Sequence, residues 1–122
     1  MRYSKVFIES FGYELAPHVV TTTELEEKLA PFYGAAGFGP GQLEVLTGIK
    51  ERRFWDKEHV LADHAAIAGQ RALDEANIPA DQIGALVYCG VCQDGFEPAT
   101  SCSVADQLNI GENAHIYDVK SA

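Results

Sequence analysis

The residues with the most chemical potential lie between positions 89 and 102. Asp94-Gly95-Phe96-Glu97-Pro98 is a polar loop following the apolar run Ala85 to Val91. A loop at the C-terminal end of a parallel-type strand is where ligands gather in open α/β sheets. Glu97 is flanked by Phe96 and Pro98, and a carboxylate in partly apolar surroundings can act as a general base. An ordinary solvated loop glutamate or helix cap would look the same locally. The local sequence leaves both open.

Cys89-Gly90-Val91-Cys92 has the spacing of some metal and redox sites. A structural zinc site needs two more ligands, and a thioredoxin-like pair opens a helix. Here the pair ends a predicted strand, with only Cys102 and four scattered histidines besides. The expectation is buried thiols in a packed strand, with no metal site. Cys102 follows Thr100 and Ser101 near a predicted helix start, a place that favours thiolates. Packing as a small hydrophobe is the expected role there too. His59 and His64 are five apart, which puts them on different helix faces, unlike the i, i+4 pair of helical zinc sites. His18 and His115 have no evident acidic or serine partner nearby in the sequence. Lys50, Arg52 and Arg53 suit a phosphate-bearing ligand or salt bridges equally well.

These residues must be held by strands alternating with helices. Val6 to Leu15 reads as a first strand ending near Ala16-Pro17. Thr23 and Glu26 make a Thr-x-x-Glu capping box at the head of a helix. Gly34 to Gly41 is a glycine-rich loop. Gln42 to Thr47 is a short helix closed by Gly48. His59 to Asn77 is the clearest helix, with Leu61, Ala65, Ala68, Ala72 and Ala76 as its apolar stripe and Gly69 inside it. Small residues there allow close approach of another backbone. Ala85 to Val91 reads as a strand covered on both faces. Pro98 to Asn109 is a further helix and His115 to Val119 a last strand. Alternation of this kind predicts a mainly parallel α/β sheet. A chain ending directly after a buried-type strand suggests part of a larger domain.

Composition narrows the partners. The 122 residues carry 18 acidic and 9 basic side chains, a net charge of -9. That argues against nucleic acid, which needs a basic footprint, and against an anionic membrane surface. No apolar stretch approaches the ~20 residues of a membrane span, and the N-terminus has no signal-peptide core. With an odd cysteine count and no export signal, a cytoplasmic protein with reduced thiols is expected.

Several blocks together resemble the ketosynthase III branch of the thiolase superfamily. They are Ala16-Pro17-His18-Val19-Val20-Thr21, Leu46-Thr47-Gly48-Ile49-Lys50-Glu51-Arg52-Arg53-Phe54-Trp55-Asp56, the helix from Asp63 to Ile78, Glu97-Pro98-Ala99-Thr100, and Tyr117-Asp118-Val119-Lys120-Ser121-Ala122. The resemblance implies an α/β thiolase-like fold with a buried central helix, residues 1–122 forming its N-terminal portion. It also implies a nucleophilic cysteine immediately after Ala122, and a histidine and asparagine in a C-terminal half. Two positions depart from the acetyl-CoA-primed members: Gln42 stands where they carry a tryptophan stacked on the coenzyme A adenine, and Leu46 where they carry an arginine. Those enzymes have an apolar residue at position 97. The branch that condenses two long acyl-CoA molecules head to head in olefin biosynthesis carries glutamate-proline there.

The implied function is therefore acyl transfer from coenzyme A or an acyl carrier protein to the cysteine, followed by a Claisen condensation. Glu97 would be the base, delivered across a homodimer interface. No metal or redox cofactor is implied; the thioesters are substrates. The alternatives are a decarboxylating 3-oxoacyl-[acyl-carrier-protein] synthase III and a non-catalytic partner shaping an acyl pocket or dimer interface.

Overall fold

The computed structural model describes residues 3–120. Met1, Arg2, Ser121 and Ala122, which enter the N-terminal reading and the last resemblance block, lie outside the described residues. The chain forms two compact units, Leu15–His59 and a second made of 3–14 with 60–120.

In the unit Leu15–His59, β1 (His18–Thr21) pairs antiparallel with β2 (Glu51–Phe54), Val19 opposite Arg53 and Thr21 opposite Glu51. Helix α1 (Thr22–Ala36) starts directly from β1. Its capping box is Thr21 with Glu24, not Thr23 with Glu26. The Glu24 N–H donates to the Thr21 hydroxyl at 3.1 Å, and the Thr21 N–H donates to the Glu24 carboxylate at 2.7 Å. Consecutive threonines offer both registers, and the extended end of β1 selects the earlier one because an N-cap needs non-helical backbone. These bonds from Thr21, backbone first, hold the Glu24 carboxyl below its ordinary value. Glu26 is freed for another task. It is buried and accepts from the N–H groups of Gly41 at 2.6 Å and Leu43 at 2.8 Å. It thereby caps α2 (Gln42–Thr47), whose own N-cap, Gly41, has no side chain. Gly48 closes α2 in the left-handed region, as expected.

In the second unit, residues 6–14 form no strand, which corrects the expectation of one from Val6 to Leu15; the strand begins only at His18. Segment 10–14 instead lies along α3 (Leu61–Ala76). The Ser10 hydroxyl donates to the Ala72 carbonyl at 2.7 Å, and Arg71 donates to the Tyr13 carbonyl at 2.6 Å. His64 meets Glu14 at 2.8 Å. Gly12 is pressed against the helix: a Cβ there would lie 2.0 Å from the Ala68 carbonyl oxygen and 2.5 Å from the Ala72 nitrogen. Ala68 and Ala72 thus receive a backbone, as their size suggested. The fully buried face is a different one. Ala62 and Ala66 pack with Val104 and Leu108, and Leu108 also lies against Gly69. Leu61, Ala65, Ala68, Ala72 and Ala76 are only partly buried.

A β-α-β unit completes the architecture: β3 (Ala85–Cys89), α4 (Thr100–Gln107) and β4 (His115–Val119). The strands are parallel, Ala85 opposite His115 and Cys89 opposite Val119. Helix α4 packs on both strands, and α3 packs on α4. Leu86, Tyr88, Ile116 and Asp118 face inward, whereas Ala85, Val87, Cys89, His115, Tyr117 and Val119 are exposed. The strand expected to be covered on both faces is covered on one, because both helices stack on the same side.

The open sheet face carries Val87, Tyr117 and Val119, and Phe7, Ile8 and Phe96 are exposed elsewhere in this unit. Exposed apolar surface of this kind drives association. Produced alone, residues 1–122 are expected to bind a hydrophobic dye strongly and to self-associate on size exclusion. A dye-dark, monodisperse monomer with a cooperative melt would contradict this.

Candidate active site

Glu97 lies on the loop joining β3 to α4, at the C-terminal end of the parallel strands, as expected. Its side chain is exposed, and the neighbouring Phe96 is 93% exposed. Phe96 therefore leaves the carboxylate open to solvent, so the partly apolar setting is not formed by this chain. The Glu97–Pro98 peptide is cis.

What the chain does supply is a pair of anchors for this loop. Asp94 accepts from the Leu61 N–H at 2.6 Å and the Ala62 N–H at 2.9 Å. These are the first donors of α3, whose N-cap, Val60, has no side-chain acceptor. Asp118 accepts from the Ser101 N–H at 2.9 Å and the Thr100 N–H at 3.3 Å. These open α4, whose N-cap, Ala99, likewise has none. Carboxylates at helix N-termini satisfy orphan donors and complement the helix dipole. Lys120 lies 3.4 Å from Asp118 and also bonds Gln93. The Tyr88 hydroxyl donates to the Cys92 carbonyl at 3.2 Å.

The charge pattern follows from these contacts. The Ser101 side chain, then the Ser101 N–H, Lys120 and the Thr100 N–H, hold the Asp118 carboxyl below the ordinary carboxylate value against the opposing effect of burial. Its folded value is depressed, so its stabilising contribution is complete at neutral pH. That contribution fades only as pH falls below about 4 and through the folded value. Burial, reinforced by the negative charge of Asp94, pushes the Tyr88 phenol up, so it remains a neutral hydrogen-bond donor. Asp94 and Asp118 were not singled out from the sequence. The available signal was two helix starts, Val60-Leu61 and Ala99-Thr100, that lack a capping side chain of their own.

The other sequence candidates fall apart. Cys89, Cys92 and Cys102 are all free and exposed, which corrects the expectation of buried thiols: Cys89 points to the open sheet face, Cys92 lies on the loop, and Cys102 is on an outer face of α4. Among the described residues, no three His, Cys, Asp or Glu side chains converge as a metal site. His18 does have an acidic partner, Asp56, at 2.8 Å, and His59 stacks on Trp55. His115 stacks on Tyr117. Arg52 donates to the Thr22 hydroxyl and Arg53 to the Ala16 carbonyl, each at 3.2 Å. Two of the three basic residues thus brace their own unit. No helix among the described residues is long and apolar enough to cross a membrane.

A parallel β-α-β unit with an alanine-rich helix beneath it, and a loop glutamate at the strand ends, is the arrangement of a thiolase-like condensing-enzyme fold. No protein-family model matches the sequence. Whole-chain relatives do. The chain is 49% identical over all 122 residues to the acyl-CoA:acyl-CoA alkyltransferase of Shewanella oneidensis, covering 35% of that protein. It is 34% identical over its full length to the protein of the same name from Xanthomonas campestris, covering 36% of it. Beta-ketoacyl-[acyl-carrier-protein] synthase III of Clostridium perfringens is 36% identical over 62% of the chain and 23% of that protein. Cerulenin-bound Xanthomonas campestris OleA superposes with a TM-score of 0.80 at 34% identity, over 93% of this chain and 33% of that one. A 3-oxoacyl-(acyl carrier protein) synthase III, FabH, from Xanthomonas oryzae gives 0.80 at 34% over the same shares. By sequence and fold the chain is similar to the N-terminal part of these alkyltransferases and synthases III, and it spans about a third of the length of its whole-chain relatives.

Proposed function

We propose that residues 1–122 are the N-terminal portion of an acyltransferase that condenses two acyl-CoA molecules head to head, and that Glu97 is its general base. The observation carrying this reading is the alignment of every residue with an acyl-CoA:acyl-CoA alkyltransferase at 49% identity. A cysteine supplied by the rest of the enzyme takes the first acyl group and releases coenzyme A. The base removes an α-proton from a second acyl thioester. The resulting carbanion attacks the acyl-enzyme carbonyl and expels the cysteine thiolate, leaving a 2-alkyl-3-oxoacyl thioester. No metal or redox cofactor takes part.

Spacing supports the placement of Glu97. Xanthomonas campestris OleA has been crystallised with a glutamate changed to glutamine and, separately, with a cysteine changed to alanine, positions twenty-six apart in that protein. Twenty-six positions on from Glu97 is the place where the sequence resemblance puts the nucleophile. The exposure of Phe96 and Glu97 suits a loop that completes a site on another surface, and we assign that surface to the second subunit of a cytoplasmic homodimer.

The decarboxylating alternative draws on the match to beta-ketoacyl-[acyl-carrier-protein] synthase III. The two part on the second substrate. Given one long-chain acyl-CoA and no malonyl donor, the complete enzyme is expected to form the 2-alkyl-3-oxoacyl product. Turnover only with a malonyl thioester would establish the alternative. A third expectation concerns the thiols. Replacing Cys89, Cys92 and Cys102 together with serine in the complete enzyme should leave acyl-enzyme formation at the parent level. Loss of acyl labelling in the folded variant would make one of them the nucleophile.

A further inference from the structure

We propose that Asp94 is a positioning residue for Glu97, setting the reach of the base by clamping the near end of its loop to α3. The inference rests on the reading of Glu97 as the base.

Residues 95–99 contain no regular secondary structure, and Glu97 sits at their centre. On the near side the chain is held at Asp94, where two carboxylate oxygens take one N–H each from Leu61 and Ala62. On the far side it is held at Thr100 and Ser101 by Asp118. Both anchors are bidentate and charge-assisted, the stronger class of hydrogen bond. Both also end on rigid elements, a helix of 16 residues on one side and a parallel strand on the other. Five residues suspended between such points have little freedom to slide. A base on an unclamped loop would have to find its position anew at each turnover.

The anchors differ in what else they touch. Asp118 is on β4 and opens α4, so its loss would disturb the β-α-β unit itself. Asp94 lies on the same loop as Glu97, three residues before it. Removing its carboxylate frees the near end of the loop while the far anchor and both strands remain. The Asp94 effect should therefore fall on the step that Glu97 performs.

The test uses the complete enzyme and a long-chain acyl-CoA, with cysteine acylation and condensation measured separately. Misplacement of a reacting group by about 1 Å can cost ~10²-fold, so Asp94→Ala should slow condensation by roughly 10- to 100-fold. Acyl-enzyme formation and the KM for acyl-CoA should stay at parent values. Asp94→Asn keeps one of the two acceptor oxygens but loses the charge. It should slow condensation less than Asp94→Ala while sparing acylation, and that selective partial loss carries the test if the alanine variant does not fold. The decisive comparison is Asp94→Ala combined with Glu97→Ala, which should condense no more slowly than Glu97→Ala alone. If acylation and condensation fall together, or if the double variant shows the product of the two single losses, Asp94 is only a structural cap. If Glu97→Ala alone condenses at the parent rate, the assignment of the base fails first, and the Asp94 proposal falls with it.

Discussion

Glu97→Ala in the complete enzyme is expected to leave acylation of the cysteine at its parent rate and to suppress condensation by ~10²–10⁴-fold, the usual contribution of a positioned general base. The reason is chemical. A decarboxylating synthase obtains its carbanion by losing carbon dioxide and needs no strong base at the α-carbon. Two unactivated acyl thioesters offer no such leaving group, so a proton must be removed. Glu97 is held on a loop anchored at both ends by Asp94 and Asp118, and its side chain is exposed. Rapid-quench measurement of acyl-enzyme and of condensed product separates the two steps. Equal loss in both would show a folding defect, and no loss in either would make Glu97 an ordinary loop residue.

The largest effect on stability should come from Gly12. A methyl group placed there meets two backbone atoms of α3, the Ala68 oxygen at 2.0 Å and the Ala72 nitrogen at 2.5 Å. Backbone of a packed helix cannot step aside as a side-chain tip can. Gly12→Ala must either push segment 10–14 off the helix or distort the helix, at a cost of about 3 kcal/mol or more. Lifting the segment would also break the Ser10, Glu14 and Arg71 contacts that fasten it. Thermal melting of the complete protein should show a drop of several degrees or a failure to accumulate soluble protein. Gly34→Ala is the control. Its position on α1 has open space around it, and the change should leave the melting midpoint unchanged or slightly higher, since alanine favours a helix by about 0.5–1 kcal/mol over glycine. A Gly12→Ala midpoint indistinguishable from that control would show that the close approach does not exist in solution.

Much of this arrangement was legible in the sequence where local chemistry decides it. His115 to Val119 is a strand with the predicted bounds, Gln42 to Thr47 is the predicted helix, and Gly48 closes it. The long helix is shorter by two residues at its start and one at its end. Such ends depend on which neighbour supplies the cap, and here the cap is Asp94, thirty-two residues beyond Ala62. The errors share that origin. Val6 to Leu15 has the composition of a strand, but its segment 10–14 spends its hydrogen-bonding groups on α3. The Thr-x-x-Glu pattern occurs in two registers, and the end of β1 chose between them. Ala85 to Val91 is apolar enough for a strand buried on both faces, and within these residues α3 and α4 cover one of them. Alternating exposure along β3 can be read only after the layers are known.

The site was legible in part for the same reason. Glu97 stood out because its neighbours and its place after an apolar run are local facts, and the family resemblance then gave those facts a chemical meaning. Asp94 and Asp118 stood unremarked because their partners are far along the chain, at Leu61 and at Ser101. Their role is visible only once two helices without caps of their own are brought beside the ends of two parallel strands.

Proton removal by Glu97 ahead of carbon–carbon bond formation is the step on which the proposed function stands. Its most direct test is the isotope effect on condensation of a long-chain acyl-CoA dideuterated at the α-carbon, measured under single-turnover conditions with no malonyl donor. Slower condensation of the deuterated substrate, unchanged cysteine acylation, and loss of one deuterium from the acyl unit that becomes the nucleophile are expected. Condensation that requires a malonyl thioester and leaves the α-deuterium of the acyl-CoA untouched would contradict it.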